Sequence, residues 1–402
     1  LIALGVALQN DSIINVAIND PECGYHAQME RYVMNDGWWG EGSPTYHYYP
    51  LRAMLLSADA VRCRNINLYD RKLYKMLVAP ASGVYADLYF PAHNDGWYGE
   101  SLIAQVSLYE IACQRYNNDP FFLSVLQQCY RYTDRNFGEA LQNNIEIPQV
   151  TSMETWPSVH FKETGYAVLR SGTKTVVMKY GPHGGGHGHP DKLSISIHDG
   201  EKEIVSDMGT CAYGVPAFTK WYRKTLSHST LTVDAKDQKE STGKLLAFKA
   251  YKDGGEVSAE APDAYSGVTM ERKLILKKNK LTDILTARSD EQHLYDYVLI
   301  LTEKPVFSQT GEVIILNDSP SYNYIKNAIV RKQSSPLSCK IGKAYMKIEV
   351  SEGQEFEVIT GEAPGIPPGN GSVLSKYDSP FCYPLIVRVK DKKLRIKTEW
   401  KF

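Results

Sequence analysis

The sequence predicts an α+β chain in two parts, helical hairpins first and antiparallel β-sheets after. Three observations lead there. From Leu1 to about Asn143, apolar residues recur at helical spacing, as in Leu102, Val106, Tyr109 and Cys113, and again in Phe122, Val125, Leu126 and Cys129. Beyond about Asn144 come short β-branched runs (GYAVLRS, TVVMKY, KLSISIH, LTVDAK, YVLILTE, EVIILN, MKIEV) separated by Gly, Asn, Asp and Lys turns, with no convincing ten-residue helix after Thr151. Finally, 402 residues exceed what one hydrophobic core usually serves, so two or more domains are expected.

The helical part is punctuated as helices should be. Asp119-Pro120 supplies an N-cap followed by proline at the first helical position, and Ser43-Pro44 does the same ahead of TYHYYPLRAMLLSADA. An internal echo joins NDGWWGEGS at Asn35–Ser43 to NDGWYGES at Asn94–Ser101. Each is a Gly-bearing turn that delivers the chain into a helix. The interval suits two helical hairpins stacked in an array, with both turns and the first-turn residues Tyr46 and His47 on one rim. A simpler account is that Asp-Gly-Trp is only a convenient turn. The opening LIALGVAL has the pattern of the middle of a helix, so residues are expected upstream of it.

Pro148 and Pro157 mark a linker into the β part. The pattern there fits a β-sandwich or stacked antiparallel sheets. LIVRVKDKKLRIKTEW alternates like a hairpin, and the Pro/Gly-rich EAPGIPPGNGS would lead into a small all-β subdomain. The expected domains are therefore 1–150, 151–361 and 362–402.

Composition excludes some classes. With 45 basic and 46 acidic residues, a nucleic-acid binder relying on general positive charge is not expected. No apolar run is long enough to span a bilayer, and no signal peptide opens the chain. The seven cysteines are scattered and odd in number, without zinc-ribbon or disulfide spacing, and look like buried thiols. Tyrosine is abundant at 27, with 6 Trp. Such flat side chains with a polar handle grip sugars, although tyrosine also packs well in sheets.

YGPHGGGHGHPDKLSISIH, Tyr180–His198, stands out. Alternation puts Leu193, Ile195 and Ile197 on one strand face, and counting back by twos adds Asp191, His189 and His187. Burying those groups costs several kcal/mol unless they are paired or hold a metal. His189, Asp207 and His228 fall near three successive predicted strands, and two imidazoles with one carboxylate are compatible with zinc. A His–Asp pair with an unrelated second His fits the spacing equally well. Tyr46, His47, Tyr89, His187, Tyr213 and Tyr222 form an aromatic and basic set able to move protons, though composition does not choose among them.

These words together carry a resemblance. ETGYAVLRS, GPHGGGHGHPDKLSISI, SDMGTCAY and WYRKTLSHSTLTVDAKDQ, in that order, resemble the central β domain of heparinase II/III-like polysaccharide lyases, including the oligoalginate lyases. DGWWGEGSPTYHYYPL is similar to that family's helical-domain signature, and the likeness runs from Leu1 to about Gly243. It implies an incomplete (α/α) toroid, lacking its first helices here, followed by antiparallel β-sandwich sheets, with substrate in the cleft between them. The implied reaction is β-elimination on a uronic-acid glycan.

Position by position, the resemblance makes His189, Asp207 and His228 ligands of a structural Zn2+. It places His187 in the lyase cleft and makes His47 the group that neutralises the substrate carboxylate. Tyr89 becomes the catalytic tyrosine, with Tyr85 as fallback, and Tyr213 a second cleft tyrosine. Trp39, Glu41, Tyr46, His183 and Tyr222 are expected to contact the sugar. Two departures are visible: the family's His-Asn-Thr is His228-Ser229-Thr230 here, and the segment from His47 to Tyr89 is short. The expected partner is an acidic polysaccharide or oligosaccharide met in the periplasm or outside the cell, with no nucleic acid and no membrane span. Self-association into a homodimer stays open. The competing readings are a zinc hydrolase using Asp191 or Glu41 as base, and a non-catalytic carbohydrate-binding protein on the same scaffold.

Overall fold

The computed structural model describes residues 1–147, 156–366 and 380–402. The chain divides into two compact units. Leu1–Val84, Leu88–Phe90 and Glu100–Glu154 form one; Tyr85–Asp87, Pro91–Gly99 and Thr155–Phe402 form the other. The expected boundary at 150–151 and Pro148 lie outside the described residues.

The first unit is helical. Its longest helix, Pro44–Ala60, starts at Pro44 behind an extended Ser43 and buries Leu51, Leu55 and Ala58 completely. Arg71–Ala81 is capped by Asp70, whose carboxylate accepts from the Lys72 and Leu73 N–H groups at 2.9 and 2.8 Å. Val106–Arg115 and Pro120–Cys129 follow, the latter capped by Asp119, and Phe122, Val125, Leu126 and Cys129 are sealed in the core. Several buried polar groups are held in pairs. Tyr48 and Tyr109 bond through their hydroxyls at 2.8 Å, and fully buried Glu110 takes two bonds from Arg135, at 2.6 and 2.7 Å. Among the described residues no helix is long and apolar enough to cross a membrane.

The second unit is built of antiparallel strands; every strand pair among the described residues is antiparallel. Its axis is a pair of long strands, Lys280–Leu301 and Phe381–Lys401, joined from end to end. The expected C-terminal hairpin is therefore one strand. Lys390–Lys393 is not a turn, because the long partner strand supplies hydrogen bonds on both sides of it, with a register shift at Arg288/His293. The buried set changes parity there, from Leu385, Val387 and Val389 to Leu394, Ile396 and Trp400, as a bulge demands. Nor does the tail form a subdomain from 362. Phe381–Lys401 also pairs with Ala344–Val350 and Phe356–Pro364, which ties it into the same unit; residues 367–372 of the expected entry linker lie outside the described residues.

Lys280–Leu301 ends with both faces buried. Tyr295, Tyr297, Leu299 and Leu301 enter one apolar cluster, Val298 and Ile300 another. On the face of the first cluster, alongside Met270, Leu274, Leu281 and Leu285, lies a buried ion pair, Arg272 with Asp283 at 2.6 and 2.9 Å. The same guanidinium donates to the Leu193 and Ser229 carbonyls at 2.8 and 2.6 Å. It thus anchors the backbone beside both histidine-bearing segments.

Two stretches expected in the helical part, Tyr85–Asp87 and Pro91–Gly99, pack with the strands instead. Tyr85 and Tyr98 each donate to Glu203 at 2.6 Å, and Ser206 adds a third bond at 3.0 Å. Burial raises the Glu203 carboxyl to about 7. The repeated Asn-Asp-Gly-Trp words therefore fall in different units. Asn35–Ser43 sits in the helical unit, and Asn94–Gly99 belongs to the β unit.

Candidate active site

The chemistry of the β unit gathers on the loop before the strand Ser194–His198. Glycine decides its shape. Gly184 and Gly185 take φ of +88° and +63°, leading into a single tight turn at Gly185–His187. A Cβ on Gly188 would lie 1.7 Å from the His183 carbonyl oxygen, so only glycine lets the chain fold back between the two histidines. Leu193, at φ +63°, then turns the chain into the strand. The expected strand register consequently fails before Leu193. Leu193, Ile195 and Ile197 do share the core, but His187, His189 and Asp191 are placed by the loop.

Asp95 organises this loop. It is 1% exposed, its N–H donates to the His187 carbonyl at 3.1 Å, and its two oxygens reach different imidazoles. Oδ2 lies 2.9 Å from His187 Nδ1, and Oδ1 lies 3.0 Å from His189 Nε2. Burial opposes ionisation of Asp95, yet the bonds from His189 and His187 outweigh it and hold the carboxyl below its usual range. Asn94 Oδ1 accepts from the His189 N–H at 3.3 Å and from Lys179.

His187 is the group that reaches solvent, its side chain 28% exposed. Tyr213, half exposed, brings its hydroxyl to 3.4 Å from His187 Nδ1 and packs edge-on against Phe218 at 4.8 Å. Arg223 lies 5.5 Å over the Phe218 ring and donates to the Gly188 carbonyl at 2.8 Å, between the two histidines.

Behind this group lies the metal-compatible cluster. Asp191, Asp207 and His228 each offer a ligand atom, all within 4.8 Å of one another. His228 Nδ1 is 3.2 Å from Asp207 Oδ2 and 3.8 Å from Asp191 Oδ2. Ligands of a tetrahedral zinc with ~2.0 Å bonds sit roughly 3.3 Å apart, so the spacing fits. The His189 ring is 5.1 Å from that of His228, and its Nδ1 is buried with no hydrogen-bond partner. Asp207 and His228 thus lie at ligand spacing, and the His189 ring stands beside His228 with its Nδ1 orphaned, as a ligand nitrogen would be. Asp191 is less apt, because Lys179 contacts both its oxygens at 2.7 and 2.9 Å. Burial works against ionised Asp191, but Lys179 and then His228 hold it well below the carboxylate range. Sealed and paired in this way, it is not placed to activate a water as a hydrolase base.

Several expected residues do other work. His47 is completely buried in the helical unit. Its Nδ1 accepts from the Trp39 N–H at 3.1 Å and its Nε2 meets the Met76 carbonyl at 2.8 Å. Burial pushes it down to about 4, so it is a neutral core histidine and cannot neutralise a carboxylate. Tyr222, 4% exposed, donates to the Gly365 carbonyl at 2.7 Å and holds that segment rather than a sugar. The fallback Tyr85 is committed to Glu203. His183 pairs with Glu240 at 3.3 Å. Tyr89 is half-buried in the helical unit, its backbone bridged to Ser101. Trp39, Glu41 and Tyr46 are half-buried in the same unit, with Trp39 Nε1 donating to Glu41 at 3.1 Å.

Asp95, Arg223 and Glu203 escaped the sequence reading. Asp95 had a signal, since it sits in a word that occurs twice, but nothing in the word says which copy meets histidines.

Residues 153–298 match the model of the family described as heparinase II/III-like, C-terminal. An alginate lyase of Stenotrophomonas maltophilia is 26% identical over 73% of this chain and 45% of its own length. An exo-oligoalginate lyase of Saccharophagus degradans is 24% identical over 73% of this chain and 46% of its own. The chain thus spans about half the length of these curated relatives. The crystal structure of a heparan sulfate lyase from Pedobacter heparinus superposes with a TM-score of 0.73 at 16% identity, over 100% of this chain and 58% of that one, which shows a shared fold.

Proposed function

We propose that this chain, whose residues 153–298 match the heparinase II/III-like C-terminal family, is part of a polysaccharide lyase acting on a uronic-acid glycan by β-elimination. The observation that carries the reading is His187, which reaches solvent from a loop that seals His189 and Asp191, with its Nδ1 held by buried Asp95.

In the reaction a base removes the proton beside the C5 carboxylate and the C4 oxygen departs. The electron pair of the C5–H bond becomes the C4–C5 double bond, and a proton must reach the leaving oxygen. His187 is the base. Its Nδ1–H is donated to Asp95, which leaves the ring's lone pair on Nε2. Tyr213, whose hydroxyl lies 3.4 Å from His187 Nδ1, supplies the proton to the leaving oxygen.

Acid–base catalysis contributes ~10²–10⁴-fold, or roughly 3–5 kcal/mol, against the ~8 kcal/mol or more of typical enzymes. The larger share falls to neutralising the substrate carboxylate as charge builds on it. His47 is excluded from that task by its burial. We assign it to Arg223, whose fixed guanidinium stands beside Gly188 and Phe218.

The cluster fits Zn2+, with His189, Asp207 and His228 as ligands. Bound there, the ion would supply structural cross-linking of three segments. In the same proposal the helical unit has the (α/α) toroid fold, and the protein works in the periplasm or outside the cell, where such polymers are met. Alginate-type substrates are favoured by the names of the two relatives above.

Elimination leaves an unsaturated uronate whose conjugated enoate absorbs in the ultraviolet. The test is an absorbance screen of the purified chain against alginate, heparan-type and other uronate polymers and their short oligomers. Rising absorbance supports the reading; cleavage with new reducing ends and no absorbance would establish hydrolysis instead.

A further inference from the structure

The Asn94–Gly96 turn carries a carboxylate to which the proposed reaction gives no proton to move. Yet Asp95 spends both oxygens on two histidines that flank a single glycine. An ionised carboxylate only accepts, so each ring must donate to it. His187 then carries its proton on Nδ1, and His189 carries its own on Nε2. In a neutral imidazole the lone pair falls on the other nitrogen. For His187 that is Nε2, on a side chain that reaches solvent; for His189 it is Nδ1, buried beside the His228 ring without a partner.

The geometry points to Asp95 as a positioning residue that sets opposite tautomers in His187 and His189. One carboxylate would thereby present a base to the substrate and a ligand nitrogen to the buried cluster. Orienting groups of this kind fix which imidazole nitrogen is available, and their loss commonly weakens metal affinity or activity about 10- to 100-fold. The backbone supports the arrangement independently of the carboxylate. Asp95 N–H is bonded to the His187 carbonyl, and the His189 N–H to Asn94 Oδ1. Replacing the carboxylate alone should therefore leave the turn in place. The tautomers rest on geometry, whereas their consequence for turnover rests on the lyase reading.

The test compares the wild-type chain with Asp95→Asn and Asp95→Glu, each labelled with ¹⁵N-histidine. Long-range ¹H–¹⁵N spectra report the tautomers directly, and zinc content, kcat and KM are measured alongside. Asn keeps one acceptor oxygen but turns an NH2 donor on the second ring, so one of the two histidines must change tautomer. Expected for Asp95→Asn is that change, a fall in kcat or zinc affinity of about 10- to 100-fold, and little movement of KM. Asp95→Glu, retaining two acceptors, should restore both tautomers and part of kcat. Protonation of wild-type His187 on Nε2 would overturn the assignment, as would an Asp95→Asn protein with both tautomers and kcat unchanged. Should Asp95→Asn fail to fold, the wild-type and Asp95→Glu spectra still decide. Correct tautomers in a chain that turns over no uronate glycan would uphold Asp95 and remove the lyase reading.

Discussion

His47 in the helical unit and His189 in the β unit are buried to the same degree, and burial drives both imidazoles down to about 4. They are nevertheless built for different ends. Backbone groups satisfy both nitrogens of His47. His189 has one nitrogen on Asp95 and the other buried with nothing to bond, an omission that costs about 1–3 kcal/mol if it stays unmet. Burial and basicity thus fail to separate a core histidine from a ligand. The unsatisfied atom separates them, because a buried polar group without a partner asks for something the chain does not itself supply.

Three alanine variants test that contrast with the largest expected effects. His187→Ala should lower elimination by ~10²–10⁴-fold while melting temperature and zinc content stay nearly unchanged. His189→Ala should lose metal and stability together. His47→Ala should leave zinc content untouched and destabilise by roughly 2–4 kcal/mol, since it strands the Trp39 N–H and the Met76 carbonyl. Metal analysis and urea unfolding on the same preparations check all three. Zinc lost from the His47 variant, or kept by the His189 variant, would break the comparison.

Legibility in the sequence followed the same division. Helical and strand periods were visible because each buries a repeating face, as in Phe122, Val125, Leu126 and Cys129 or in Leu193, Ile195 and Ile197. Asp207 and His228, two of the three residues that stand at metal-ligand spacing, were visible too, because their residue types carry their chemistry wherever the chain places them. His47 misled because its sequence neighbourhood is rich in tyrosine and tryptophan, while its satisfaction comes from the Met76 carbonyl 29 residues away. The C-terminal strand misled for a similar reason. Asp391 to Lys393 has the composition of a turn, and only a 22-residue partner strand keeps it extended. Asp95 was hidden because a carboxylate's role depends on what folds against it.

A second, intermediate effect sharpens the difference through pH. Folded His47 titrates near 4, against an ordinary value of 6.5. Between those values the unfolded chain binds a proton that the folded chain refuses, so stability rises with pH across the window. It should fall by about 1.4 kcal/mol per pH unit for each such residue on acidification, and be whole above about 6.5. His93, pushed down to about 4 by burial as well, adds to the slope. Replacing His47 with Gln should flatten the dependence of the urea midpoint between pH 6.5 and 4 by one residue's share. An unchanged slope would mean that His47 is not neutral in the folded chain.

The smallest effect concerns Tyr213, the exposed member of the His187 group. Its hydroxyl is 3.4 Å from a nitrogen that already donates to Asp95 at 2.9 Å, so it cannot govern the tautomer of His187. What it offers is a phenol proton at an open position, where water can substitute. Tyr213→Phe keeps the edge-on packing against Phe218 and removes only the hydroxyl. It should lower kcat by about tenfold, at or below the lower end of the range for acid–base groups, with KM and melting temperature nearly constant. Steady-state kinetics on short uronate oligomers measure it. A loss matching that of His187→Ala would make the tyrosine an equal partner in proton transfer and would move the balance of the site from the sealed Asp95 side to its exposed lip.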